Sequence, residues 1–87
     1  MSAKDTVVGA DALPDVVAAL YREVLCDESL DTDSDFFEAG GDSLAAFQIS
    51  ARLGDVIGGE VPVALVFAFP TPADLASVVD AHGVGAA

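Results

Sequence analysis

Ser43 stands behind Gly40, Gly41 and Asp42 and ahead of Leu44, with Phe36, Phe37 and Glu38 just upstream. A serine at the mouth of a helix, behind two glycines, offers an exposed hydroxyl that another enzyme can modify. The chain holds little with which to activate that hydroxyl itself. His82 is its sole histidine. It falls on the apolar stripe of a C-terminal helix, where packing and the helix dipole suit it better than work as a base. The Gly-x-Ser-x-Gly elbow of hydrolases is absent, because Leu44 and Ala45 follow the serine. Ser43 therefore reads as a substrate, and the chain as non-catalytic.

Three other constellations are weaker. Asp31-Thr32-Asp33-Ser34-Asp35 alternates carboxylates like the start of an EF-hand loop, but Phe36 and Asp42 occupy the places that need glycine and glutamate. That leaves room for no more than a weak, nonspecific divalent site. Gly40-Gly41 is accompanied by carboxylates where a phosphate-binding loop needs a lysine. Cys26 is flanked by Glu23, Asp27 and Glu28, whose charges disfavour a thiolate, so it reads as an inert residue at a helix end.

Eighty-seven residues make one small domain with a thin core. A net charge of -12, with only Lys4, Arg22 and Arg52 positive, repels nucleic acid and anionic membranes. It favours basic protein partners, and a monomer is expected. Asp35, Glu38, Asp42, Asp55 and Glu60 flank the serine and are expected to steer such partners. A single cysteine forms no internal disulfide, which fits a reducing, cytoplasmic setting. No signal peptide is evident at the N-terminus. The apolar run Val61 to Phe69 is interrupted by Pro62 and is far short of the roughly 20 residues that span a bilayer.

Four helical segments must position the serine. Residues 1–11 and 84–87 read as tails around a domain over 12–83. Leu13, Val16, Val17, Leu20 and Val24 form the stripe of a first helix that fades between Leu25 and Asp27. A long acidic loop follows, and at least one of Phe36 and Phe37 should reach the core. The second helix starts at Ser43, with a core stripe of Ala45, Ala46, Ile49, Ser50, Leu53, Val56 and Ile57. Leu44, Phe47 and Ala51 fall on another face, beside Ser43, and read as a partner-binding strip. The competing reading folds Phe47 over the core edge. Gly54 weakens this helix and Gly58 and Gly59 end it. Val61 to Phe69 has strand composition but no partner strand, so a short helix or turn fits better. Thr71, Pro72 and Asp74 open a last helix with the stripe Leu75, Val78, Val79 and His82, stopped by Gly83. The fold class is all-α, a small four-helix bundle.

The run Phe36-Phe37-Glu38-Ala39-Gly40-Gly41-Asp42-Ser43-Leu44 resembles the core motif of peptidyl carrier proteins, the thiolation domains of nonribosomal peptide synthesis. The resemblance extends from about Leu13 to His82. It includes Tyr21-Arg22-Glu23-Val24-Leu25, Ala51-Arg52-Leu53, Glu60-Val61-Pro62-Val63 and Phe69-Pro70-Thr71-Pro72. It implies an acyl carrier protein-like bundle with a short third helix. It also implies that Ser43, flanked by Gly41 and Asp42, carries a 4′-phosphopantetheine arm, donated from coenzyme A by a phosphopantetheinyl transferase with magnesium. An adenylation enzyme would load the arm, and condensation or tailoring enzymes would act on its cargo. Ala39, where the family often has leucine, Cys26, where it often has glycine, and Gly54 and Gly59 depart from the pattern and imply a looser second helix and loop. Asp42-Ser43 and the acidity are shared with acyl carrier proteins of fatty acid and polyketide synthesis, the nearest alternative. An alternative of another class is a plain interaction module, with Ser43 as a helix cap and the Phe47 strip as a docking face. Met1 and the small-residue C-terminus give the expectation of a free-standing carrier.

Overall fold

The computed structural model describes residues 12–81. The helices are α1 (Leu13–Leu25), α2 (Ser43–Ile57), α3 (Val63–Ala68) and α4 (Pro72–Ala81). No strand occurs among the described residues, so the expected all-α bundle is what forms. α1 packs against α4 and α2, and α3 bridges α2 and α4. The two expected tails, with His82 and Gly83, lie outside the described residues.

α1 begins with Pro14 and Asp15 in its first turn, where a missing N–H and a negative charge are both tolerated. Its buried face is Leu13, Val17, Ala18 and Tyr21. This corrects the stripe read from the aliphatic spacing: Val16 is only half-buried, and Leu20 and Val24 pack at the margin. Tyr21 takes the centre because its hydroxyl finds a partner. It donates to the Pro70 carbonyl at 2.7 Å, so the whole ring can leave water. The helix ends with Cys26 in the left-handed region (φ 56°) and an Asp27 N–H bond to the Arg22 carbonyl at 3.1 Å. α2 ends the same way, with Gly58 (φ 76°) as the left-handed residue and a Gly59 N–H bond to the Gly54 carbonyl at 3.0 Å.

In α2, Ala46, Ile49, Ser50 and Leu53 are buried, with Ala45 and Ile57 at the margin of the core. Val56 is exposed, in a last turn where only Ile57 still packs inward. Gly54 does not loosen this helix. It is buried, and a Cβ there would stand 2.6 Å from the Gly59 carbonyl oxygen. The chain leaving α2 folds back so closely that no side chain fits.

The loop from 26 to 42 is built by its own carboxylates. Asp27 accepts from the Ser29 N–H at 3.0 Å, Asp31 from Asp33 at 2.9 Å, and Asp35 from Phe37 at 2.8 Å and Glu38 at 3.1 Å. These are side-chain-to-backbone turns. Among the described residues no cluster of His, Cys, Asp and Glu could hold a metal. The loop is tied to the start of α4 by Ala73 N–H to Thr32 O at 3.0 Å and Phe36 N–H to Pro70 O at 2.9 Å. Phe36 is fully buried, edge-on to Tyr21 at 6.0 Å, while Phe37 stays outside. The Val61–Phe69 stretch resolves into α3, with Pro62 at its N-cap and Val66 buried. Thr71 accepts the Asp74 N–H at 3.2 Å, as expected of a cap, and Leu75, Ala76 and Val79 fill the core from α4.

Candidate modification site

The loop delivers Ser43 to the surface by a short sequence of steps. Phe36 is the anchor. Its carbonyl accepts the Gly41 N–H at 2.9 Å, and its ring lies directly beneath Gly41. A Cβ on Gly41 would collide with that ring, so only glycine lets the chain cross there. Gly40 supplies the reversal at φ +90°. Asp42 is extended (φ -132°) and is the N-cap: its carboxylate accepts the Ala45 N–H at 2.9 Å. Ser43 is then the first residue of α2, and it is exposed.

This arrangement corrects the suggestion that Ser43 caps the helix. Asp42 does that, so the serine hydroxyl is not needed for the fold. The Asp42 carbonyl accepts the Ala46 N–H at 2.9 Å. No described residue bonds the amides of Ser43 and Leu44, which lie at the positive end of a 15-residue helix. Two orphan donors beside an exposed hydroxyl suit an esterified phosphate at that position. The adjacent carboxylate, Asp42, is engaged by the Ala45 N–H. Both described cations are occupied: Arg22 donates to the Leu30 carbonyl at 2.9 Å, and Arg52 pairs with Glu23 across α1 and α2. The site presents an exposed hydroxyl at the first position of α2.

Leu44, Phe47 and Ala51 are all exposed, Phe47 at 58% and Leu44 at 66%. The reading that folds Phe47 into the core edge is set aside by that exposure. Two further exposed aromatics escaped the sequence reasoning. Phe37, from the loop before Ser43, stacks on Phe67 of α3 with ring centroids 6.0 Å apart and planes 20° from parallel. Both rings also meet the edge of buried Phe36. The signal for Phe37 was its place beside a core phenylalanine. For Phe67 there was none, since six helical residues give no readable face.

The family described as "phosphopantetheine attachment site" matches residues 15–79. The chain belongs to that family. The carrier domain is 40% identical over 77 residues to the probable non-canonical nonribosomal peptide synthetase CymA of Salinispora arenicola, covering 88% of this chain and 1% of that protein. It is 38% identical over 66 residues to a dimodular nonribosomal peptide synthase of Bacillus subtilis, covering 76% of this chain and 3% of that protein. It thus spans a very small part of these relatives. Among solved structures it is similar to a nonribosomal PCP domain, with TM-score 0.69 and 36% identity over 76% of this chain and 84% of that one. It is also similar to BlmI, described as a type-II acyl-carrier-protein from Streptomyces verticillus involved in bleomycin biosynthesis. There the TM-score is 0.80 and the identity 27%, over 84% of this chain and 88% of that one. The carrier domain is of the nonribosomal peptide type, with the acyl carrier protein-like fold, and its cofactor is 4′-phosphopantetheine.

Proposed function

We propose that Ser43 is the residue that carries the 4′-phosphopantetheine arm, and that the domain shuttles an aminoacyl or peptidyl thioester between biosynthetic enzymes. The observation that carries this reading is the spare, exposed hydroxyl at the first position of α2, next to two unclaimed amides. In the attachment step the Ser43 oxygen attacks a phosphorus of the coenzyme A pyrophosphate. A Ser43 O–P bond forms, the pyrophosphate P–O bond breaks, and the adenosine bisphosphate leaves. A base and magnesium on a phosphopantetheinyl transferase would take the serine proton and screen the charge. The arm, once bound, supplies a thiol that holds an acyl group as a thioester.

The domain's own contribution is presentation. Asp42 fixes the start of α2, Gly41 over Phe36 fixes the height of the loop, and Leu44, Phe47 and Ala51 offer a strip for the transferase, an adenylation enzyme and condensation or tailoring enzymes. The likeness to BlmI, described as a type-II acyl-carrier-protein, supports an acyl cargo as the second reading. The test is peptide mapping after incubation with a transferase and coenzyme A, followed by loading with adenylation enzymes. The arm is expected on the peptide that contains Ser43, and an aminoacyl group on the arm. An arm mapped to another serine would overturn the assignment, and loading by acyl-transfer enzymes alone would favour the acyl carrier reading.

A further inference from the structure

Gly40 and Gly41 lead into Ser43 with no side chains of their own to anchor them, and nothing lies within 4 Å of where a Cβ of Gly40 would stand. Their backbone is held by the two residues that carry the loop's rings. The Phe36 carbonyl accepts the Gly41 N–H at 2.9 Å, and the Phe37 carbonyl accepts the Gly40 N–H at 3.1 Å. Phe36 is locked in the core, but Phe37 lies half outside it, 51% exposed. Its N–H is tied only locally, to Asp35 at 2.8 Å, and its ring is braced from α3 by the stack with Phe67. Building on the Ser43 assignment, we propose that Phe67 is a positioning residue for arm attachment: through Phe37 it holds Gly40 and Gly41, and so the approach to Ser43, in place.

Three observations argue for that role. Phe67 stands on a fixed base: Val66 beside it is fully buried, α3 packs against α2, and the Phe69 N–H closes the helix on the Leu65 carbonyl at 2.8 Å. The chain leaving α3 also grips the loop at the preceding residue, since the Pro70 carbonyl accepts the Phe36 N–H at 2.9 Å. Residues 67–70 thus hold Phe36 by its backbone and Phe37 by its ring. Lastly, the three rings close on one another. Phe37 and Phe67 are stacked at 20°, and Phe36 meets them edge-on at 5.4 and 6.3 Å. Such geometry is directional, and a plain apolar contact does not require it.

The two glycines make this brace matter. Glycine torsions are soft, so without Phe67 the Gly40–Gly41 link wanders and carries the serine oxygen out of line with the phosphorus it attacks. Small misplacements of a reacting atom slow the step without weakening the encounter. A positioning residue therefore shows in kcat, whereas a docking contact such as Phe47 shows in KM.

The test is made on the full chain with Phe67→Leu, which keeps apolar bulk and removes the ring, and Phe67→Tyr, which keeps the ring. Two readouts are taken: the amide NMR signals of Gly40 and Gly41 without any partner, and the kinetics of arm attachment with a phosphopantetheinyl transferase and coenzyme A. Phe67→Leu should shift both glycine amides and lower kcat roughly 2- to 10-fold, the factor an aromatic pair corresponds to, with KM nearly unchanged. Phe67→Tyr should restore most of the kcat. Phe37→Leu should have the same effect, and the double variant should lose no more than either alone, because both remove one stack. Unmoved glycine amides in a helical Phe67→Leu overturn the proposal, and so does a rise in KM alone, which would make Phe67 a docking contact. A parent that gains no arm overturns the Ser43 assignment instead, and the glycine amides, read without transferase, still decide whether Phe67 holds the link.

Discussion

Replacing Cys26 with glycine should stabilise this protein. Cys26 sits at the C-terminal end of α1 at φ 56°, ψ 43°, the left-handed region. A residue with a Cβ costs about 1–2 kcal/mol there. Glycine removes that cost but gives the unfolded chain more freedom, worth about 0.4–1 kcal/mol. The lost side chain contributes little, since it is exposed and its sulfur lies 3.8 Å from the Glu23 carbonyl oxygen. The net gain is about 0–1.6 kcal/mol with a central value of about 0.8 kcal/mol, or roughly 3–6 °C in Tm for a domain of this size. The bonds that close the turn, from Cys26 and Asp27 to the Arg22 carbonyl, are made by the backbone and survive the change. α2 already ends in this geometry with Gly58. Thermal and urea unfolding followed by circular dichroism would measure the effect, with Cys26→Ala as the control that keeps the Cβ. If Cys26→Gly is no more stable than the parent, or if Cys26→Ala gains equally, the strain argument is wrong.

Three further substitutions or titrations probe other parts of the account. Tyr21 is the chain's only tyrosine, so tyrosinate absorbance reports on it alone. Burial first, and then the charge of Asp35, push its hydroxyl well above the ordinary value of 10.0. Above pH ~10 the unfolded chain sheds a proton that the folded one keeps, so stability is intact below that pH and falls as pH rises. Tyrosinate should appear together with loss of helicity, and ionisation near pH 10 in a still-helical protein would contradict the buried Tyr21–Pro70 bond. Phe47→Ala should leave Tm nearly unchanged, within about 0.5 kcal/mol, while weakening transferase binding by about 1–2 kcal/mol. A large loss of stability would place Phe47 in the core instead. Gly54→Ala should destabilise by about 1 kcal/mol, because overpacking of about 1–3 kcal/mol against the Gly59 carbonyl outweighs a helix-propensity gain of about 1 kcal/mol; a rise in Tm would show that the return chain can yield.

The order of elements, the start of α2 at Ser43 and the exposure of Phe47 were legible in the sequence, because capping residues and the helical period act locally. Tyr21 was not. Its centrality depends on a carbonyl 49 residues away that accepts its hydroxyl, and no local pattern announces such a partner. Gly54 was misread for the same reason, since helix propensity says nothing of a backbone that returns from Gly59. The acidic loop was legible as a loop, but its carboxylates serve its own turns, a role that alternation of charge alone does not reveal. The Phe37–Phe67 stack joins two segments that the sequence leaves unrelated. The identity of the capping residue was also hidden, because Asp42 and Ser43 are both good caps and only the geometry separates them.

Intact-mass analysis of the parent and Ser43→Ala, each incubated with a phosphopantetheinyl transferase and coenzyme A, tests the central claim most directly. The parent should gain one phosphopantetheine. The variant should gain none while keeping its helical circular dichroism, because Asp42 and not Ser43 holds the start of α2. Full modification of the alanine variant, or a parent that takes up no arm, would contradict the account.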